Sequence, residues 1–553
     1  MTPATDDPPL SWDLNWSTIW DRVAGLVPDA PAIVSPAGTL SYAELEDRAA
    51  RLAGALHRLG IRRGDRVGVY LYNRPEFLEA IYAAFKLGAI PVNMNFRYRA
   101  RELAELIRIC GARAIIHPAT LGDEVSGAAA ILRGGGSEVG QDGGTDIAQI
   151  VIADGPVSAG HEYESLLTER YDGPDERSGA DRFYVFTGGT TGTPKAVVWR
   201  HGDLLDAQTL SIFTAVGLPA PTTEADFTAH TGRVPGGAPR VLPLAPLMHL
   251  TALVSAMNAL VLGGSVVVLS SARLDPVQAL HAIVDERVTR IIVVGNAITT
   301  PLIDALESAE LAGAPYDVAS VTSIISSGMA WTDDRKAELL SRMPGATLLD
   351  IIASTEGGPY AYSFVRGPAE LPSRIELAAG ASVIDEDGEP VAVGGTGVLA
   401  YSGPMPLGYL DEPAKTAEVY RVIDGVRRVS PGDWVRLLDE DGTVEFLGRG
   451  AAVVNTGGEK VYPAEVEEVL LAHPDVVDAA VFGVPDPRWG QAVAAVVAHR
   501  DGASVEADAL RAFVGDRLAG YKKPQHLLVL DSLERGPSGK VDLARLRELV
   551  VAR

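Results

Sequence analysis

Apolar positions along the chain recur in two rhythms. In "SYAELEDRAARLAGALHRLG", residues 41 to 60, they return every three to four positions, which predicts an amphipathic helix. Ser41 opens it, and Glu44 stands where a capping-box partner belongs. "DRVGVYL" is a short apolar run that predicts a buried strand, and "RPEFLEAIYAAFKLGAIPVNMN" predicts helix, turn and strand. "RELAELIRICGARAIIHP" repeats that plan. Such alternation implies α/β layers with largely parallel sheets. No short internal repeat is found. The stretches "LRGGGSEVGQDGGTD" and "GLPAPTTEADFTAHTGRVPGGAP" lack either rhythm and read as surface loops. The sharpest change of texture falls at "VEFLGRGAAVVNTGG", residues 444 to 458, after which helix and strand alternate on a shorter scale. The break is placed just after Arg449. Residues 1–449 then form a large, multi-layer, parallel-rich α/β domain, and residues 450–553 a small, mobile α+β domain.

One uncharged interval, Val241 to Ala272, has the apolarity of a membrane span. Pro243, Pro246, His249, Asn258 and the pair Gly263-Gly264 divide it, so the expectation is a loop, a buried helix and the strand "SVVVLS". The first residues, "MTPATDDPPLSWDLNW", lack the basic and apolar regions of a signal peptide. A cytoplasmic protein with no integral membrane segment is expected. At 553 residues, two or more domains are the default. A net charge of -24 argues against a nucleic-acid partner and leaves anionic ligands dependent on locally positive pockets. The single cysteine, Cys110, excludes an intrachain disulfide and a multi-thiolate metal site.

Candidate chemistry begins at "FTGGTTGTPKAVVWRH", residues 186 to 201. Gly188, Gly189 and Gly192 let backbone N–H groups approach phosphate oxygens, Thr187, Thr190 and Thr191 add hydroxyls, and Lys195 adds a charge. A P-loop would need Gly-Lys-Ser/Thr in sequence. Here Thr193-Pro194 intervenes and Ala196 follows the lysine. Alone, the stretch could be a glycine–threonine surface turn.

It is followed by further motifs. "PLAPLMHLTAL", "ISSGMA", "ASTEGG", "PLGYLDEPAKTAEV", "SPGDWVR", "FLGRG", "TGGEKVYPAEVEEVL" and "RGPSGKVDLARLREL" appear in that order. Together they resemble the AMP-forming adenylation superfamily, in its acyl-CoA synthetase branch, with the style of actinobacterial enzymes for fatty or polycyclic acids. The resemblance covers nearly the whole chain. It implies a ligase joining a small-molecule carboxylic acid to CoA through an acyl-adenylate, with ATP, magnesium and CoA as cofactors. It places His249 at the acyl pocket, Ser327 and Gly328 at the adenine, Thr355 at the nucleotide, Glu356 at the metal, Asp433 and Arg449 at the ribose, and Lys540 at the reacting centre. On the CoA side it points to Gly457, Gly458, Trp489, Tyr521 and Lys523, with Arg97 a weaker phosphate contact. Taken singly, His249 reads as a core histidine, Glu356 as a solvated acid, Asp433 as a turn residue and Lys540 as a surface charge. Order and spacing reverse those readings. A homodimer is left open.

Four departures from the pattern are visible. Ala196 replaces glycine after the loop lysine, Ile352-Ala353 replace Tyr-Gly, Ala451 replaces the charged hinge residue, and Val398 replaces the glutamate of a Gly-Glu pair. If the position of Ala196 requires positive φ, that residue carries strain. Two expectations stand side by side: that thioester formation is kept while adenylation is weakened, and that the changes are compensated and the enzyme runs both steps. At the acyl pocket, Gly295 and Ala297 in "VVGNAITTPL", with Ile352, Ala353 and Gly357, leave room for a large apolar acid such as a steroid, diterpenoid or long fatty acid. The alternatives are an adenylating enzyme that loads a carrier protein, disfavoured because the chain ends at Arg553, and a non-catalytic homologue that binds nucleotide or acyl groups.

Overall fold

The computed structural model describes residues 12–134, 147–155, 159–171, 173, 176–187, 194–329, 331–449, 454–456, 459–486, 490–500, 502–503, 505–518, 520–535 and 541–551. The chain gathers into two compact units, Met1–Arg374 with Gly403–Glu418, and Ile375–Ser402 with Val419–Arg553.

Local sequence signals become elements much as expected in the first unit. The helix Tyr42–Arg58 opens with a full capping box, the Glu44 N–H donating to Ser41 Oγ and the Ser41 N–H to the Glu44 carboxylate. The helices Pro75–Leu87 and Ala100–Cys110 each stop at a glycine in left-handed conformation, Gly88 and Gly111, and feed the strands Ile90–Asn93 and Ala112–Pro118. The divided interval forms the strand Arg240–Pro243, a loop, the helix Leu250–Val261 and the strand Ser265–Val267. That helix is buried nearly all round, which is why its sequence is apolar on every face. The segment read as a long loop after Gly217 does contain one short helical turn, Asp226–Ala229, pinned by buried Phe227 against Trp12 and Phe213. Most of the glycine-rich stretch after Leu132 lies outside the described residues.

Two sheets organise this unit. In one, Pro31–Ser35, Ser265–Val267, Arg240–Pro243, Arg290–Val293, Ser323–Ser327 and Thr347–Ser354 lie side by side and parallel, and Gly357–Val365 returns antiparallel on the last. In the other, Arg182–Thr187, Ile90–Asn93, Arg66–Val69, Ala112–Pro118 and Ala148–Ile152 run parallel, and Lys195–Arg200 folds back on Arg182–Thr187. These are the parallel-rich layers that the alternation predicts.

In the second unit, Thr396–Tyr401, Asp433–Leu437 and Thr443–Arg449 form an antiparallel meander. From Val454 onward the chain builds its own sheet, centred on Val476–Asp486 and Gly490–His499, with helices on both faces. Strand alternation splits its apolar run between two cores. Val493, Ala495 and Val497 pack on one face with Val466, Leu470 and Leu510, while Ala492, Ala494 and Val496 pack on the other with Phe482, Leu528 and Leu546. This is the small α+β fold expected of the C-terminal region.

Candidate functional site

Four neighbouring parallel strands of the first unit end at the same edge, and each hands over to a segment singled out in the sequence. Arg240–Pro243 leads to His249, Arg290–Val293 to Gly295 and Ala297, Ser323–Ser327 to Gly328, and Thr347–Ser354 to Thr355 and Glu356. The carboxyl edge of a parallel sheet is where α/β folds bind ligands, because there the connections leave open space between strand ends.

Each connection is fixed by its own contacts. The segment before His249 is held by Asn73, whose side-chain amide donates to the carbonyls of Pro243 and Ala245 at 2.9 and 3.0 Å and accepts from the Leu247 N–H at 2.7 Å. Asn93 also donates to the Met248 carbonyl. His249 itself precedes the first turn of the helix Leu250–Val261. Gly295 begins the helix Gly295–Leu311 at φ +44, its N–H donating to buried Ser326 Oγ at 2.9 Å, and Ala297 on the first turn is exposed. Gly328 has φ +92, with nothing near the position a Cβ would take. Thr355 and Glu356 make the two-residue connection of a hairpin in which Ser354 faces Gly357. The pairing shifts register between Ile352 and Ser354, so Ala353 sits at an irregularity of the strand.

The second sheet of the unit meets this edge along the strand Lys195–Arg200. Thr187 and Lys195 face each other at the end of an antiparallel pair, while Gly188, Gly189, Thr190, Thr191 and Gly192 lie outside the described residues. Trp199, on the lysine's strand, donates its indole N–H to the Thr355 carbonyl at 3.0 Å. Tyr409 links the charged groups. Its hydroxyl donates to Glu356 Oε1 at 2.8 Å, and Lys195 Nζ lies 5.8 Å from its ring centroid. Glu356 is only 8% exposed. The quoted stretch "PLGYLDEPAKTAEV" contains Tyr409, but nothing in one dimension sets its hydroxyl beside Glu356, 53 positions away.

Ala196 differs from expectation. It sits in the extended strand Lys195–Arg200 opposite Phe186 and is absent from the residues with positive φ, so it carries no left-handed strain. Its methyl is buried in a core with Tyr184, Val198 and Met248. His201, which closes the quoted segment, is a core residue. Its Nδ1 accepts the Trp16 N–H at 3.2 Å, and burial, with Arg63 nearby, pushes its pKa down to about 3. It stays neutral at any physiological pH.

The remaining candidates fall on other elements or outside the described residues. In the second unit, Asp433 and Arg449 are directly opposed across the antiparallel pair, and Asp433 is 6% exposed. Tyr521 and Lys523 are exposed on the turn before His526–Leu530. Gly457, Gly458, Trp489 and Lys540, like Ala451, lie outside the described residues. In the first unit, Arg97 is exposed and its guanidinium lies 5.1 Å from the Phe96 ring centroid. Among the described residues no three His, Cys, Asp or Glu side chains gather as a metal site. A magnesium ion commonly takes one or two carboxylates and completes its shell with substrate phosphates and water, so a buried carboxylate oriented by Tyr409 fits that donor set.

Comparison with known proteins gives this geometry its context. The AMP-binding enzyme family matches residues 20–410, and the AMP-binding enzyme C-terminal domain matches residues 465–540. The chain belongs to the AMP-binding enzymes. A medium/long-chain-fatty-acid–CoA/3-oxocholest-4-en-26-oate–CoA ligase of Mycolicibacterium smegmatis is 36% identical over 544 residues, spanning 96% of this chain and 95% of the relative. A 3-oxocholest-4-en-26-oate–CoA ligase of Rhodococcus rhodochrous is 35% identical over 536 residues, spanning 96% and 94%. Among solved structures, ATP-bound MatB from Rhodopseudomonas palustris is similar with a TM-score of 0.76 at 26% identity, covering 97% of this chain and 99% of that one. This AMP-binding enzyme is thus a member of the AMP-forming acid–thiol ligase superfamily, matching its fatty and polycyclic acid ligases. Its membership supports ATP or acyl-adenylate, a carboxylic acid and CoA as ligands. No helix among the described residues is long and apolar enough to cross a membrane.

Proposed function

We propose that this enzyme converts a large apolar monocarboxylic acid into its CoA thioester by way of an acyl-adenylate. The observation that supports it best is the shared strand edge, where His249, Gly295, Gly328 and Glu356 follow four adjacent parallel strands. The small residues Gly295, Ala297 and Ala353 at that edge favour a bulky acid over acetate. The relatives that act on fatty and steroid acids favour it too.

In the first step a carboxylate oxygen bonds to the α-phosphorus of ATP, and the bond from that phosphorus to the bridging oxygen breaks, releasing pyrophosphate. Both reactants are anions, so positive charge must stand where charge accumulates. Lys195 and Lys540 fill that role, with Thr187 and the loop from Gly188 to Gly192 donating to phosphate. Thr355, Ser327 and Gly328 seat the nucleotide, Asp433 and Arg449 the ribose, and His249 with Ile352 borders the acyl group. A magnesium ion at Glu356, when bound, supplies further neutralisation of the phosphates. In the second step the CoA thiol attacks the acyl carbonyl and AMP departs. Gly457 and Gly458 leave room for the pantetheine arm, with Trp489, Tyr521, Lys523 and Arg97 on the CoA side. Ile352, in place of a stacking aromatic, forgoes about 0.5–1.5 kcal/mol at the adenine, which slows adenylation relative to thioester formation.

The test is CoA-dependent release of AMP over a panel running from acetate to long fatty and steroid acids, beside thioester formation from synthetic acyl-adenylates. Large apolar acids should exceed acetate by roughly a hundredfold or more, since each buried methylene contributes about 0.8 kcal/mol. Lys540→Ala should impair adenylation and spare the thioester step, and Gly458→Trp should do the reverse. Acetate preference, or AMP release indifferent to CoA, would overturn the reading.

A further inference from the structure

We propose that Tyr409 is a positioning residue for the ATP half-reaction, holding the Glu356 carboxylate by its hydroxyl and backing the Lys195 ammonium with its ring. The inference rests on the reading of Lys195 and Glu356 given above, and adds a residue to it. One side chain touches both charged groups, the carboxylate at 2.8 Å and the ammonium 5.8 Å from the ring centroid. The first contact is a hydrogen bond to a charged acceptor, among the stronger kinds. The second lies within the range at which an aromatic face attracts a cation.

The backbone around Tyr409 is held from three sides. The short strand Gly408–Tyr409 pairs with Val198 and Val197, on the strand that starts at Lys195. The N–H groups of Leu407 and Leu410 donate to the carbonyls of Val198 and Ala196, each at 2.9 Å. The Tyr409 N–H donates to Thr416 Oγ1 at 3.0 Å. Gly408, at φ +142, lets Thr416 come close: a Cβ there would fall 2.3 Å from the threonine methyl carbon. Tyr409 therefore shares a rigid base with Lys195 and reaches from it to the hairpin that carries Glu356. Phosphate charge and the cation that accompanies it would meet a lysine and a carboxylate whose separation is already set, which lowers the cost of organising them during the reaction.

Two variants divide the ring from the hydroxyl. Tyr409→Phe keeps the ring and removes the bond to Glu356, and Tyr409→Leu removes both. The full-length protein is titrated calorimetrically with a non-hydrolysable ATP analogue, with and without magnesium chloride, and thioester formation from a synthetic acyl-adenylate is followed beside it. Tyr409→Phe should bind the metal-free analogue like wild type and lose roughly tenfold of the tightening that magnesium brings. Tyr409→Leu should also weaken metal-free binding, by roughly threefold. Both should form thioester from adenylate within about twofold of wild type, as a purely structural defect would not allow. An unchanged magnesium effect in Tyr409→Phe, or parallel loss of both half-reactions, would overturn the proposal. Should wild type adenylate no acid at all, the ligase reading fails, while the nucleotide titrations still decide the role of Tyr409.

Discussion

Ala196 and Lys195 are adjacent, yet strand alternation gives them different surroundings. The lysine lies against Tyr409, and the alanine methyl is packed in a core at 1% exposure. Ala196→Gly should therefore give no gain in adenylation. It should instead cost roughly 1–2 kcal/mol of stability, from the lost methyl and the added backbone freedom of a glycine in a strand. Pyrophosphate release and urea denaturation check the two halves of that statement, and a faster adenylation would return Ala196 to the phosphate site. The loop's glycines, hydroxyls and lysine suggest phosphate chemistry from sequence alone, and that role stands as a proposal because Gly188 to Gly192 lie outside the described residues. The role of the residue after the lysine was not legible there, because it depends on where the strand begins. Tyr409 was hidden for the same kind of reason, since its two partners come from distant parts of the chain.

The helix Asp333–Arg342 and the strand Thr347–Ser354 show the limit at the next scale up. Nothing in their own sequences announces the ion pair that joins them. Lys336 is 2% exposed, with Nζ 3.2 Å from Asp350 and 3.0 Å from Ser373 Oγ, and it lies 5.4 Å from the centroid of the Trp331 ring. Burial pushes the Asp350 carboxyl up, and Lys336 draws it back. In "WTDDRKAELLSR" this lysine has the look of any solvated helix charge. Removing Lys336 leaves the part-buried Asp350 carboxyl without its partner, so Lys336→Met should cost roughly 1–3 kcal/mol. The double variant Lys336→Met with Asp350→Leu should recover much of that loss. Denaturant midpoints for the three proteins settle the point, and equal loss in the single and double variants would rule out the ion pair as the cause.

Across the whole molecule, the order of motifs made the fold class and the superfamily legible, because many weak signals over most of the chain reinforce one another. pH behaviour is less accessible, and Glu467 illustrates it. On the helix Pro463–Leu471 its carboxylate accepts the Val481 N–H at 2.8 Å, yet burial dominates and pushes its pKa up to about 7. A raised acid gives stability that is full below its unfolded value, near 4.5, and lost as pH rises through about 7. The gap corresponds to roughly 3 kcal/mol at most. Glu467→Gln, which keeps an acceptor for Val481, should flatten that fall, so thermal melts between pH 5 and pH 8, roughly the window that linkage sets, should converge least with wild type at the alkaline end. A wild-type melting temperature that does not decline over this range would exclude the effect. A different freedom follows from Asn73. It grips the segment before His249 through main-chain atoms alone, two carbonyls and one N–H. Such a clasp is blind to side-chain identity. Leu244 and Leu247, both buried in the core, are then free of the task of fixing the loop, so a substitution at either acts through packing while the main-chain path that delivers His249 is held separately.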